Sequence, residues 1–162
     1  MAILNILEDG EPTLRKVCRP VTEITPRIIR LLDDMRDTLA DANGAGLAAP
    51  QVGILRRIVI CDTEEGLVEL INPEIIAAEG EQQELEGCLS VPGVWGITDR
   101  PAKVTVKALD RHGNEFTVTG TELDARCFCH ELDHLEGTLF TDHALRILTQ
   151  EELDKLAEEQ ED

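Results

Sequence analysis

His130-Glu131-Leu132-Asp133-His134 is the stretch whose residue types and spacing could do chemistry. On a helix, positions i and i+4 leave the same face one turn apart, so the two imidazoles can reach one divalent ion. The Glu between them lies close enough to handle a proton from water at that ion, which is the arrangement of metal-dependent hydrolysis. With four histidines in the chain, a chance match to this pattern is on the order of one in a hundred. The plain alternative is a pair of histidines that only satisfy hydrogen bonds in a helix or core.

A catalytic site of this kind needs a third protein ligand and an open position. The longer His-Glu-x-x-His-x-x-Gly-x-x-His pattern is followed as far as Gly137, but Phe140 stands where its last His belongs. Glu151 and Glu152 lie in the distance range from which a thermolysin-like site takes its Glu. They also fall in the first turn of a short helix, where acids complement the dipole. His143 is available too. Cys88, between Gly87 and Leu89 in a turn-rich segment, is a further candidate, because coordination lowers a thiol's pKa enough to deprotonate it. The residues alone leave Cys88 level with all other ligands together.

The elements that must position these groups fit in 162 residues, a single-domain length (residues 1–162). Without Tyr, and with one Trp and three Phe, the core must be aliphatic. Thr25 at N-cap and Pro26 at the first position open a helix, with Ile28, Leu31, Leu32, Met35 and Leu39 at helical spacing and Asn43-Gly44 as its stop. The 24 residues before it read as an irregular arm. Small residues from Gly44 to Ala49 would let another backbone come close, and Gln51 follows as a candidate amide donor. Segments 57–62 and 66–78 are strand-like, with a bend at Asn72-Pro73, and 79–84 reads as a solvated loop or edge. Segment 86–93 reads as turn-rich. Strands over 102–110 and 115–119 join in a hairpin at His112-Gly113-Asn114. The His-Glu helix spans 121–136, with Leu123, Cys127, Phe128, Leu132 and Leu135 apolar. A last helix runs from Thr149 to the chain's end, with Glu152 completing a capping box.

A formal charge of −18, from 15 basic and 33 acidic residues, repels phosphate backbones and argues against direct nucleic-acid binding. No apolar run approaches the roughly 18 residues of a bilayer span. There is no export signal at the start, so a cytoplasmic protein without membrane attachment is expected. Five cysteines in that setting favour free thiols or a metal thiolate over disulfides.

Three segments, Gly44-Ala45-Gly46-Leu47-Ala48-Ala49-Pro50-Gln51, Glu86-Gly87-Cys88-Leu89-Ser90 and His130-Glu131-Leu132-Asp133-His134, resemble in order and spacing the three signature motifs of the peptide deformylases. The likeness extends to Ile71-Asn72-Pro73, Leu109–Gly113 and Leu135-Glu136-Gly137. It implies an α+β fold, with antiparallel sheets around a central metal-binding helix and a helix near each end of the chain. It also implies hydrolysis of the N-formyl group, as formate, from the formylmethionine of newly made polypeptides. Cys88, His130 and His134 would then hold the metal, and Glu131 would act as general base and then acid. Negative charge developing on the carbonyl oxygen would be met by the Gln51 side chain and the Leu89 N–H.

In the family the Gly44–Gly46 backbone pairs with the substrate as an added strand. Ala45, Phe128 and Ile97 are candidates for the methionine pocket or, equally, for the core, and Trp95 for the rim of the cleft or for a cap on the core. Glu86, Arg100 and Asp133 would orient the ligands. Cys129 precedes His130 where many relatives carry Gln; on a helix it points about 100° away from its neighbour. The donor set suits Fe²⁺, Zn²⁺, Co²⁺ or Ni²⁺, and the resemblance favours ferrous iron in the cell. It further implies a monomer acting on formylmethionyl nascent chains near the ribosome exit. The readings set against this one are a zinc endopeptidase and a metal-binding module without turnover.

Overall fold

The computed structural model of the chain describes residues 2–161. Three helices, α1 (Pro26–Ala42), α2 (Leu123–Leu135) and α3 (Gln150–Glu161), accompany eight strands in two antiparallel sheets. The larger sheet has the order β1-β2-β3-β6-β7, from Gly46–Ala48, Ile58–Thr63, Gly66–Glu79, Lys103–Leu109 and Glu115–Thr121. The smaller has the order β4-β5-β8, from Gln82–Cys88, Val91–Arg100 and Arg146–Ile147. This is the α+β architecture expected, with α2 lodged against β1, β2 and β7.

Strand β2 shows why the interior holds. It is buried on both faces, so its sequence is a continuous apolar run with no alternation of polarity. Ile58 and Ile60 turn to one side and join Leu32, Met35 and Leu39 of α1, while Val59 and Cys61 turn to the other and join Phe128 and Leu135 of α2. Two helices thus share one sheet as a common floor. Each fully buried aliphatic side chain there contributes roughly 1.5–3 kcal/mol.

The ends of α1 are those read from the sequence. Thr25 Oγ1 accepts from the Ile28 N–H at 3.4 Å, Pro26 opens the helix, and Asn43 closes it at φ 54°. Asn72 also has positive φ, 52°, and its side-chain amide exchanges two 2.8 Å hydrogen bonds with the backbone of Val21. That pairing ties the N-terminal arm to the bend in β3. The arm is irregular apart from a 3-10 turn at Pro12–Arg15. At α3, Thr149 and Glu152 bond reciprocally at 3.1 Å; the expected last residue of that helix, 162, lies outside the described residues.

The solvated loop or edge read over 79–84 is what the structure holds there: a tight turn at Gly80-Glu81 leads into β4, the edge strand of the smaller sheet, and these residues are mostly exposed. One expectation is corrected. Segment 86–93 is the tip of the β4–β5 hairpin, whose two-residue connection is Leu89-Ser90. Gly87, Pro92 and Gly93 read as turn formers in sequence, but a register shift between Glu86 and Cys88 accommodates a bulge within the ladder. Leu123, read as one of the apolar positions of α2, opens that helix and is 64% exposed, lining the cavity in front of it.

Candidate metal centre and cleft

One ligand atom each from Cys88, His130 and His134 falls within 4.8 Å of the others. The bulge at the end of β4 delivers the thiol, and α2 delivers both rings. His134 Nε2 lies 3.4 Å from Cys88 Sγ. His130 Nδ1 is engaged by Glu86 Oε2 at 2.6 Å, which fixes the ring and leaves Nε2 for a ligand bond. Neither His143 nor Glu151 or Glu152 joins the group. His143 Nε2 contacts Asp133 at 3.2 Å, and Glu152 caps α3 and pairs with Arg146. Phe140, in the place of the missing third His, stacks on His130 with ring centroids 6.0 Å apart.

A buried ionic network stands behind the rings. Glu86 accepts from Arg100 Nη2 at 2.8 Å, Arg100 Nε at 3.2 Å and Thr98 Oγ1 at 2.8 Å, and Arg100 Nη1 donates to Asp133 at 2.7 Å. Burial alone would raise the Glu86 carboxyl, but hydrogen bonds from His130 and Arg100 hold it at about 2. Burial would likewise deprotonate His130, yet the Cys88 thiol and Glu86 favour its charged form and keep it well above the usual histidine range. His134, buried and facing that charge, falls to about 3. One thiol and two imidazoles, all borderline-soft donors, converge on one spot, and such a set fits a divalent transition metal.

Glu131 is buried, and its Oε1 meets no hydrogen-bond partner. Burial pushes its carboxyl up to about 7. Gly46 of β1 lies against it: a Cβ there would lie 2.7 Å from Cys127 Sγ and 2.8 Å from Glu131 Oε2. Strand β1 is the edge of its sheet. Asp62 N–H donates inward to the Ala45 carbonyl, so alternation turns the peptide groups of Gly46 and Ala48 outward. Ala48 N–H is then taken by Gln51 Oε1 at 2.9 Å. That bond forces the other end of the amide forward, where Nε2 donates to Ser90 Oγ at 3.0 Å and lies 3.8 Å from Cys88 Sγ.

The cleft in front of these groups is a cavity of about 500 Å³. Gly44, Ala45, Gly46, Leu89 and Trp95 line it, together with the site residues Gln51, Cys88, His130 and Glu131. Trp95 lies over Gly87, where a Cβ would sit 2.5 Å from the indole. Leu89 turns its side chain into the core beside α1, leaving its backbone at the hairpin tip. Two expected pocket residues are elsewhere. Phe128 is fully buried and pressed against Gly120 in the core, and Ile97 pairs between Leu85 and Arg146 inside the smaller sheet. On α2 the apolar period that marks Phe128 is the core period, and on β5 alternation puts Trp95 and Ile97 on one face at different depths. Cys129 is buried among core residues, where burial raises its thiol to about 11, and it is not one of the three side chains that converge.

Sequence reasoning passed over Ser90 and Arg126, and it considered Cys127 only as an alternative thiol ligand and an apolar helix position. Ser90 donates its N–H to Cys88 Sγ at 3.4 Å besides holding Gln51; its signal was its place in the same five-residue motif as Cys88. Cys127 walls the cleft beside Gly46. Arg126 does so one helical turn before His130, a spacing that could have flagged it.

A family model described as polypeptide deformylase matches residues 3–150. The chain is 54% identical to the peptide deformylase of Acetivibrio thermocellus over 158 residues, covering 98% of this chain and 93% of that protein. It is 56% identical to the peptide deformylase of Caldanaerobacter subterraneus subsp. tengcongensis, covering 98% and 99%. The crystal structure of a peptide deformylase from Legionella pneumophila superposes with a TM-score of 0.85 at 41% identity, covering 98% of each chain.

Proposed function

On the premise that the chain belongs to the peptide deformylase family, metal-dependent enzymes that remove the N-formyl group from N-terminal formylmethionine, we propose that Cys88, His130 and His134 hold its one metal ion and that Glu131 moves the protons. The convergence of that thiol and those two imidazoles, with the unpartnered Glu131 carboxylate facing the outward edge of β1, carries the reading. The endopeptidase alternative is not retained.

When bound, the ion supplies Lewis-acid polarisation of the formyl carbonyl and acidification of water. The protein's own groups do the rest. Gly46 offers its outward peptide group to the substrate backbone, and the absence of a side chain keeps that backbone close to Glu131. Glu131 takes the proton of the attacking water and returns it to the departing amine. Gln51 Nε2, aimed by Ala48 and Ser90, and the Leu89 N–H meet the charge that builds on the formyl oxygen; losing one such donor costs roughly 10²–10³ in rate. Glu86, Arg100 and Asp133 keep His130 in register. Ala45 and Trp95 border the space for the methionine side chain.

In the cell we assign ferrous iron to the site, a set of donors that also accepts Zn²⁺, Ni²⁺ or Co²⁺. We further assign action as a single-domain monomer on nascent chains close to the ribosome exit, in the cytoplasm and away from any membrane. Among the described residues no helix is long and apolar enough to cross a bilayer. Glu131→Ala tests the central role: metal content measured by elemental analysis stays near one ion per chain while formate release is lost. A variant that keeps both full metal and full activity rejects the assignment.

A further inference from the structure

We propose that the N-terminal arm is a positioning element of the site: backbone N–H groups of Leu7, Asp9 and Cys18 hold the ends of its three segments, and the first two grips aim the Gln51 amide. The proposal rests on the deformylase reading of that amide. Leu7 N–H donates to the Gln51 carbonyl at 2.7 Å, Asp9 N–H to the Ser90 carbonyl at 2.7 Å, and Cys18 N–H to the Leu135 carbonyl at 2.8 Å. Gln51 closes the small-residue segment 44–51, Ser90 closes the Cys88 segment 86–90, and Leu135 directly follows His134. One irregular stretch thus bonds once to each segment that supplies a site residue.

Gln51 lies in the turn Ala49–Val52 that follows β1 of the larger sheet, whereas Ser90 lies at the hairpin tip of the smaller one. Gln51 Nε2 joins the two by donating to Ser90 Oγ at 3.0 Å. The direction of that amide therefore depends on how the two sheets meet. Leu7 and Asp9 are two residues apart, and a chain covers at most about 7 Å over that span. Both carbonyls are thus gripped by one short piece of chain, and shifting one sheet against the other at the site strains or breaks a bond. The arm is itself fastened on either side of the grip. Ala2 N–H donates to Asp34 at 2.9 Å and Leu4 N–H to Thr38 Oγ1 at 2.8 Å, and Ile6 packs on the apolar cluster around Met35. Beyond the grip, Arg15 pairs with Asp142 at 2.5 Å, and a Cβ added to Gly137 would sit 2.6 Å from the Arg15 carbonyl. Tied at both ends, the arm can hold position, which a frayed terminus cannot.

Asp9→Pro removes one grip and little else. Asp9 and Gly10 are the central pair of a turn closed by Glu11 N–H on the Glu8 carbonyl at 3.1 Å, with Gly10 at φ 108°. That is the pattern of a type II turn, whose second residue accepts proline readily. Formate release from formyl-Met-Ala-Ala-amide and metal content per chain are measured together. The variant is expected to keep its metal and a KM within about twofold, while kcat falls roughly tenfold, a part of what complete loss of an oxyanion donor costs. In a Gln51→Ala background the same substitution should cost less than about twofold, because the group it aims is gone. Glu8→Pro is the control for proline itself: the Glu8 N–H meets no acceptor among the described residues, and kcat should stay within about twofold. An Asp9→Pro kcat within about twofold of wild type overturns the proposal. So does a roughly tenfold loss that persists without Gln51, since the arm would then be only a brace. Should Asp9→Pro not fold, an ester in place of the Glu8–Asp9 amide, introduced by joining a synthetic segment of residues 1–17 to Cys18, removes the same N–H with every side chain kept, and the same comparison with and without Gln51 decides. No formate from the wild-type chain rejects the deformylase reading, whereas formate with no loss in the arm variants rejects the arm's role alone.

Discussion

Two carboxylates in this protein sit in nearly the same chemistry and serve different ends. Glu86 and Glu69 are both buried, at 4% and 8% exposure, and each is held by an arginine fork. Glu86 meets an arginine that is itself buried, and passes the interaction on to the His130 ring. Glu69 meets Arg111 at 2.6 and 2.8 Å and Arg36 at 2.6 Å, arginines that keep one side in water and tie α1 and the β6–β7 turn to β3. Depth separates them. A sealed network cannot reorganise around a missing member, whereas a half-wet one can borrow solvent.

Substituting Glu86 by Ala should have the largest effect, because it strands the buried Arg100 and frees the His130 ring. Stability in urea should fall by about 3–5 kcal/mol, and metal affinity measured by competition with a chelator should drop roughly 10–100-fold. Retention of full affinity would erase the distinction between the two networks. Glu69→Ala should cost about 1–3 kcal/mol and leave metal affinity unchanged.

Acid sharpens the contrast further. Burial alone would raise the Glu69 carboxyl, but hydrogen bonds from Arg111 and Arg36 hold it below the usual range. Its folded pKa being depressed, its contribution is complete above the unfolded value of about 4.5 and is lost as the pH falls below that. Glu69→Gln should therefore flatten part of the acid limb in a pH series of thermal melts, and an unchanged limb would count against the pairing. The smallest effect belongs to Arg36→Ala, about 0–1 kcal/mol by urea titration, since that side chain is 41% exposed.

The local parts of this design were legible in the chain itself. Thr25-Pro26 and Thr149 with Glu152 mark helix starts through hydrogen bonds that close within four residues. The His130–His134 spacing likewise needs only one helical turn. The proposed third ligand was different, because Cys88 meets His130 from 42 positions away through a bulged hairpin. No periodicity reports such a meeting, and only likeness to a family singled it out. The β4–β5 hairpin was hidden because glycines and a proline stand where the ladder bends. Phe128 and Ile97 were placed at the cleft because apolar character does not say which wall of an aliphatic interior a residue faces. Arg126 was hidden in the opposite way, a charged residue on the inward side of a helix whose polar pattern reads as solvent-facing.

Strand β1 is only three residues long and leaves one side of its sheet bare. An open border of that kind would ordinarily invite other copies of the chain to stack on it and polymerise. Here its shortness is protective: with the Ala48 N–H already taken by Gln51, three residues leave too few free backbone groups to seed a growing fibre, while the proposed pairing with a substrate needs only a brief alignment.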